Sequence, residues 1–388
     1  MHTDDAPDQP FLPLAGCRVI ERSRTVAAAY AGRMLAALGA TVIMLEPPEG
    51  SRLRRATPTL PETGESALFA FLAAGKRSLI CDASTTDGQG LLERELDGAH
   101  IFLDDTPVSE LVAQGADSDS IGRRYPDLVH VSILPFGAFG PKAHWVGEEI
   151  NVVHAGGEGF LLPNGLSATL FPNRAPLKIY GHFASFQGGC SAAMCALSAW
   201  WSVPRVGGQF VDISVQDAAL SVGAFALQRL GDGSLEHRGT RSFRYGGVFE
   251  AQDGFVELLT LEDRQWRNLV ALMDHPDWAT DPALDDPLER SRRGDEINVQ
   301  IAQWTKLHNV EMIVSRAQSL GVPAAKYRTP DEVLTGEHER SRQLFSQATL
   351  ESGVQVDVLV APFQFRCTPL QHPMNVPAVG EYAREIVQ

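Results

Sequence analysis

The chain has 388 residues, of which 44% are hydrophobic and 21% charged, and its formal net charge is −15. A chain of this length can bury a sizeable core and form two domains. The acidic balance argues against a nucleic-acid-binding protein, because such proteins need clustered Lys and Arg side chains to meet phosphates. The five cysteines include no Cys-x-x-Cys pair, so they predict neither a disulfide framework nor a zinc site. We expect a reducing compartment, the cytoplasm.

The sequence also predicts no association with a membrane. The first ten residues are acidic and lack the basic and apolar regions of a signal peptide. The longest apolar stretch, 192–201, is far too short to span a bilayer.

The first structural prediction is a β-α-β unit near the N-terminus. Residues 17–20 and 41–45 are short apolar runs, typical of buried strands, and an alanine-rich stretch, 26–38, lies between them. Gly39 is suited to the left-handed backbone conformation that often ends a helix. The first strand is not followed by a G-x-G-x-x-G motif, which disfavours a dinucleotide-dependent oxidoreductase.

A β-α-β unit places a predictable set of residues at a binding edge. Ligands of open parallel sheets bind outside the carboxyl ends of the strands. We therefore expect Ser23, Arg24, Thr25 and Val26, and the loop after Glu46, to lie at that edge.

The alternation of strands and helices continues as far as residue 203, and the pattern then changes. Residues 77–82, 98–104 and 128–133 are predicted strands. From about 207 the sequence becomes β-like and then helical and rich in charge, with an Asp-Gly hairpin signal at 253–254. We place a smaller second domain at 207–325.

Several motifs give the chain a family resemblance over nearly its whole length. In chain order they are Leu12-Pro-Leu-Ala-Gly-Cys-Arg-Val-Ile20, Ala74-Gly-Lys-Arg-Ser-Leu79, Tyr125-Pro-Asp-Leu-Val-His-Val-Ser132, Phe136-Gly-Ala-Phe-Gly-Pro141, Gly321-Val-Pro-Ala-Ala325 and Pro377-Ala-Val-Gly-Glu381. In this order and spacing, the chain resembles the family III CoA-transferases, which also include α-methylacyl-CoA racemase.

The resemblance implies an α/β fold with a Rossmann-like large domain and an inserted, smaller α+β domain. The large domain would comprise a CoA-binding first part, 11–206, and a return segment, 326–388, on either side of the small domain at 207–325. Two such chains would interlock as a dimer, either a homodimer or a heterodimer with a second family III subunit. The implied substrates are CoA or an acyl-CoA and a carboxylic acid, with no tightly bound cofactor and no metal.

The resemblance also implies a chemistry. The family carries the acyl group on an aspartate, which attacks the thioester and forms an acyl anhydride. The family's Gly-Tyr-Asp motif matches Gly147, Glu148 and Glu149, so Glu149 stands in the nucleophile position. Its extra methylene moves the reacting oxygen by on the order of 1 Å, enough to cost about a hundredfold in rate. Alternatively, Glu149 is only a solvated or helix-capping acid.

Two alternative functions stay open at this point. In the first, the chain is a non-catalytic subunit of a heteromeric CoA-transferase. In the second, it is an acyl-CoA racemase, isomerase or lyase, and Glu148 and His182 occupy the positions of the acid–base pair that exchanges the α-proton.

Only some of the family's CoA-binding positions have matching residues in this chain. Lys76 and Arg77 match the family's Gly-Lys-Arg-Ser corner, where cations would meet nucleotide phosphates. Arg52 and Arg55 follow the loop after Glu46 and are further candidates. The family's Asn-Phe-Arg-Pro-Gly segment corresponds here to 103–107, where two acids are expected to repel phosphate.

Overall fold

The computed structural model describes residues 12–162, 173, 175, 177–223, 227, 230, 231, 245–368, 370 and 375–382. These residues fall into two compact units. The described part of the first unit contains 12–162, 177–223 and the residues from His338 onwards, and that of the second contains 245–337. Within the described residues, no helix is both long and apolar enough to cross a membrane.

The first unit is built on a parallel sheet of six strands in the order β3-β2-β1-β4-β5-β6. The strands are β1 Arg18–Arg22, β2 Thr41–Glu46, β3 Arg77–Ile80, β4 Ile101–Asp104, β5 Val129–Leu134 and β6 Phe210–Ser214. Both faces of the central strands are buried, and all six residues of β5 are buried. This is why these strands read as continuous apolar runs. The mixed α/β fold and the first five strands confirm the predictions.

Helices connect the strands and cover both faces of this sheet. They are α1 Val26–Ala37, α2 Ala67–Ala73, α3 Thr86–Leu96, α4 Val108–Ala113, α5 Ser118–Arg124, α6 Glu149–Ala155, α7 Phe183–Val206 and α8 Val215–Gly223. Thr25 caps α1 by accepting a hydrogen bond from the Ala28 amide. Gly39 follows α1 at a φ of 98°, as predicted for the residue that ends this helix.

The helices α1 and α7 pack closely because their contact is made by small residues. A Cβ atom on Gly189 of α7 would lie 2.7 Å from the carbonyl oxygen of Ala27 and 3.0 Å from the Tyr30 side chain. Only glycine therefore fits there. Ala28, Ala31 and Ala192 are completely buried beside it, so this helix pair forms one core of the unit.

The segment 207–223 lies in the first unit, whereas its sequence pattern predicted a place in the small domain. Strand β6 pairs in parallel with β5, with His130 opposite Phe210 and Ser132 opposite Asp212. As an edge strand it is only partly buried over its first three residues, so its sequence lacks the continuous apolar run of the central strands. The described part of the second unit starts at 245 and ends at 337, compared with the expected 207 and 325.

The second unit combines a three-stranded antiparallel sheet with helices. Its strands are β7 Gly247–Ala251, β8 Gly254–Leu258 and β9 Ala324–Lys326. Its helices are α9 Asp263–Leu272, α10 Pro287–Arg292, α11 Gly294–Thr305, α12 Val310–Leu320 and α13 Pro330–Leu334. The inner face of the sheet packs on a core around Trp266, Leu269 and Ile313. The predicted Asp-Gly hairpin joins β7 to β8.

After the second unit the chain returns to the first through α14 Glu337–Ser341. A hairpin follows, formed by β10 Phe345–Thr349 and β11 Gln355–Leu359. Ala348 and Val358 of this hairpin pack in one cluster with Phe69 and Leu72 of α2. The return segment therefore completes a core of the first unit.

Candidate active site

A cavity of about 400 Å³ lies at the carboxyl edge of the parallel sheet, the edge predicted for ligand binding. Four arginines line it, and we call it the arginine cavity. They are Arg22 and Arg24 after β1, and Arg52 and Arg55 after β2. Ser23 also lines the cavity, as do residues 81–84 after β3.

The four arginines differ in how their charge is used. Arg22 is buried and bound to Asp104, with Nη2 2.7 Å from Oδ2. Arg24 pairs with Glu110 at 2.8 Å. Arg52 and Arg55 instead donate to carbonyl oxygens, those of Arg24 and Glu49. These contacts leave the charges of Arg52 and Arg55 for an anionic ligand.

A second cavity, of about 230 Å³, lies between the start of α1 and the loop that follows β5. It shares Arg24 and Arg52 with the arginine cavity. Thr25, Phe136, Trp145, Gly147 and Glu148 also line it, and we call it the loop cavity.

Aromatic contacts hold the loop of the loop cavity together. The rings of Phe136 and Trp145 meet edge to face at 5.8 Å. The Lys142 ammonium lies 5.5 Å and 5.4 Å from the centres of the same two rings, a favourable cation–π distance.

The two acids of segment 103–107 have partners inside the protein. Burial alone would raise the pKa of Asp104, but Arg22 and His130 beside it hold that pKa well below its usual value. Asp105 accepts hydrogen bonds from the backbone amides of Arg24, at 2.9 and 2.8 Å, and of Thr25, at 2.6 Å. Despite these bonds, burial raises its pKa to about 6.

Asp105 therefore places an internal carboxylate at the N-terminus of α1. Helix N-termini attract anions, and this one follows β1 at the ligand-binding edge. The bonds to Asp105 use the two amides that precede the helix, which would otherwise be open to a phosphate. The sequence alone does not reveal this role, because Asp105 lies 81 residues from Arg24 and 80 residues from Thr25.

Lys76 does not reach the cavities, and this corrects the predicted phosphate contact. Its side chain is 0% exposed, and Nζ lies 2.6 Å from Glu21 and 2.7 Å from the Ala29 carbonyl oxygen. A phosphate could reach Lys76 only by displacing a buried ion pair. Arg77 is exposed and lies over the Tyr382 ring at 5.2 Å, also outside the two cavities. Val26 is buried in the core.

Glu149 is the first residue of α6, and its carboxylate reaches the start of α7. One oxygen accepts a hydrogen bond from the Ala184 amide at 2.7 Å. The other accepts from the Ser185 amide at 3.0 Å and from the Ser185 hydroxyl at 2.7 Å. His182, at the N-cap of α7, makes no capping bond with its own side chain. Glu149 therefore caps α7 from another segment of the chain.

Glu148 and His182 have different surroundings. Glu148 is exposed, forms a capping box with Asn151 at the start of α6, and lines the loop cavity. The His182 ring meets Phe186 edge to face at 6.5 Å. The structure thus brings Glu149 to the turn that follows His182, while Glu148 faces the cavity.

The sequence indicated Asp105 only as an acid that would repel phosphate, not as a partner of the α1 N-terminus, and it gave no indication of Ser185. A serine in the first turn of a helix gives no signal of a distant carboxylate. In the part of the chain that the structure describes, no group of three or more His, Cys, Asp or Glu side chains is arranged to hold a metal ion.

Comparisons with known proteins identify the family of the chain. The model of CoA-transferase family III matches residues 14–382. The succinate–glutarate CoA-transferase of Agrobacterium fabrum is 28% identical, over 97% of this chain and 95% of that protein. The BbsE subunit of the succinyl-CoA:(R)-benzylsuccinate CoA-transferase of Thauera aromatica is 24% identical, over 92% of this chain and 90% of that one.

A solved structure is similar over nearly the whole chain. The CAIB/BAIF family protein from Brucella suis superposes with a TM-score of 0.83 at 25% identity, covering 98% of this chain and 99% of that one. With the family match, this shows that the chain belongs to CoA-transferase family III and is an enzyme of that class.

Proposed function

We propose that the protein moves CoA between an acyl-CoA thioester and an organic carboxylate, and that a glutamate of the pair Glu148-Glu149 carries the acyl group. The observation that carries this proposal is the position of the pair. Glu148 lines the loop cavity, which shares Arg24 and Arg52 with the arginine cavity. One continuous edge of the sheet thus offers cations for phosphates and a carboxylate for the thioester.

The cations also give the proposed direction of the bound thioester. Arg52 and Arg55 belong to a short 3-10 helix that Ser51 caps and buried Leu53 anchors. They are therefore held at the cavity wall. We place the nucleotide phosphates of CoA near these two arginines and the thioester near Glu148. Because Asp105 occupies the N-terminus of α1, the phosphates are assigned to the arginine side.

The direct test is a transfer assay with the purified chain. Succinyl-CoA and glutarate are incubated with the protein, and glutaryl-CoA is measured by chromatography. We expect the wild type to form glutaryl-CoA and the double variant Glu148→Gln/Glu149→Gln to form none, with an unchanged circular dichroism spectrum as the control for folding. Equal activity of the double variant would show that neither acid carries the acyl group.

A second candidate function is a supporting subunit of a heteromeric CoA-transferase. The three hydrogen bonds of Glu149 to α7 favour it, because they give this carboxylate a structural role. A relative, BbsE, is itself named as a subunit. In that case the chain alone would be inactive, and a co-purified second family III chain would restore transfer even with the double variant.

The assembly proposed for either function is a dimer. Met194 and Trp201 are 63% and 78% exposed on α7, and residues seven positions apart lie on one face of a helix. Such apolar side chains favour burial against another chain. Size-exclusion chromatography with light scattering should give twice the chain mass of 42.1 kDa, and a stable monomer at micromolar concentration would contradict the dimer.

We also propose a Rossmann-like first unit and a cytoplasmic location. The strand order of the parallel sheet supports a Rossmann-like first unit. All five cysteines are free thiols, which supports the reducing environment of the cytoplasm.

A further inference from the structure

We propose that Glu148, rather than Glu149, forms the covalent bond to the acyl group. This inference rests on the proposed function, because it assigns the carboxylate of that reaction. It moves the reacting residue one position towards the N-terminus from the place that the family motif indicates.

The two carboxylate oxygens of Glu149 are already bound within the protein. Both accept hydrogen bonds, three in total, from the first turn of the 24-residue helix α7. A carboxylate oxygen attacks through a lone pair, and hydrogen bonds to the charged form stabilise it and make it less nucleophilic. The three bonds use three of the roughly four lone-pair sites of the carboxylate, so attack by Glu149 would weaken the cap of α7.

Glu148 is exposed and lies where a ligand can reach it. It lines the loop cavity, whereas the residues that line the two cavities at this edge do not include Glu149. Its side chain meets one backbone amide, that of Asn151, in the capping box. This contact can orient the carboxylate while leaving it exposed to a ligand.

Gly147 holds the backbone of Glu148 against the cavity wall. A Cβ atom at position 147 would lie 2.9 Å from Pro135 Cβ and 2.9 Å from the Phe136 ring, closer than side-chain carbons approach. Only glycine lets the chain pass there. Position 148 is thereby fixed beside the loop that also carries Trp145.

The chemical step conserves all atoms and electrons. A Glu148 oxygen attacks the thioester carbonyl carbon, the carbon–sulfur bond breaks, and CoA leaves as a thiolate, so that a mixed anhydride remains. The thiolate then attacks the glutamyl carbonyl and releases the donor acid. The acceptor carboxylate attacks this glutamyl thioester and displaces the thiolate, which gives a second anhydride. The thiolate then attacks the acceptor's acyl carbon, the bond from that carbon to the Glu148 oxygen breaks, and Glu148 is free again. No oxidant, reductant or net proton transfer is needed.

The test maps the covalent adduct. Wild type, Glu148→Gln and Glu149→Gln are each incubated with succinyl-CoA and trapped with hydroxylamine, which converts an activated glutamyl group to a hydroxamate. Peptide mass spectrometry then locates the hydroxamate. We expect it on Glu148 in the wild type and in Glu149→Gln, and on neither acid in Glu148→Gln.

The other outcomes separate this inference from the proposed function. A hydroxamate on Glu149 in the wild type overturns the inference and leaves the proposed function standing. Absence of a hydroxamate from both acids of the wild type overturns both. Since Glu149→Gln can destabilise α7, Ser185→Ala provides a second variant that alters neither acid and removes one bond to Glu149. The hydroxamate is expected to stay on Glu148, and its transfer to Glu149 would overturn the inference.

Discussion

Replacing Glu149 by alanine is expected to destabilise the first unit more than a typical surface mutation does. The change removes the acceptor for two backbone amides and one hydroxyl at the start of α7. Loss of an N-cap costs about 0.5–2 kcal/mol, and loss of a negative charge beside a helix N-terminus about 0.3–1 kcal/mol. Since Glu149 is half-buried, water can replace part of these bonds. We expect a loss of about 2 kcal/mol.

Urea unfolding followed by circular dichroism measures this loss. Glu148→Ala is the matched control, because this neighbouring acid is exposed and caps a helix of only seven residues. Its expected cost is about 0.5 kcal/mol, towards the lower end for a helix cap. A double-mutant cycle with Ser185→Ala should give a coupling of about 1 kcal/mol. Equal costs for the two glutamates, or no coupling to Ser185, would refute the capping role.

Three further predictions follow from the buried charges and the arginine cavity. Lys76→Met leaves its partner Glu21 buried and unpaired, so we expect a loss of about 3–5 kcal/mol in the free energy of unfolding. The affinity for CoA should not change. A loss of CoA affinity without a loss of stability would show that Lys76 belongs to the binding site. Burial raises the pKa of Asp105 from 3.8 to about 6, so the folded protein takes up this proton before the unfolded chain. Stability relative to Asp105→Asn should therefore rise by up to about 3 kcal/mol as the pH falls from about 7 to about 4, and a constant difference would contradict the shift. Arg52→Glu/Arg55→Glu should weaken CoA binding at least tenfold and reduce its salt dependence in calorimetry, whereas the exposed control Arg123→Glu should change neither; equal affinities would place the phosphates elsewhere.

The sequence predicts the parallel sheet well because its signal is local. Buried parallel strands are continuous apolar runs, and the glycine after α1 marks the end of that helix. Parallel strands also bring their carboxyl ends to one edge. The sequence could therefore indicate that Ser23, Arg24, Thr25, Arg52 and Arg55 lie near one another, and all five line the cavities.

The misplaced lysine shows where such reasoning ends. Lys76 follows a glycine and precedes an exposed arginine, so its neighbours in sequence suggest a surface cation. Its partner, Glu21, is 55 residues away. Only the packing of α1 against the sheet reveals that the two charges are buried together.

For the glutamate pair, the sequence predicts part of the arrangement but not all of it. The motif identifies two adjacent carboxylates, and the structure places both at the start of a helix. Which of them faces a cavity depends on contacts with Ala184 and Ser185, 35 and 36 residues further along the chain. Such contacts have no periodic signature in the sequence.

Transfer of oxygen-18 tests most directly whether a glutamate of this chain carries the acyl group. The purified protein is incubated with succinyl-CoA and with glutarate that carries oxygen-18 in its carboxylates. The mass of the peptide containing Glu148 and Glu149 is then measured by mass spectrometry. Because the acceptor acid leaves its bridging oxygen on the enzyme, we predict that this peptide gains oxygen-18, and that the peptide of Glu148→Gln/Glu149→Gln does not. Formation of glutaryl-CoA without label in the wild-type peptide would contradict the covalent mechanism.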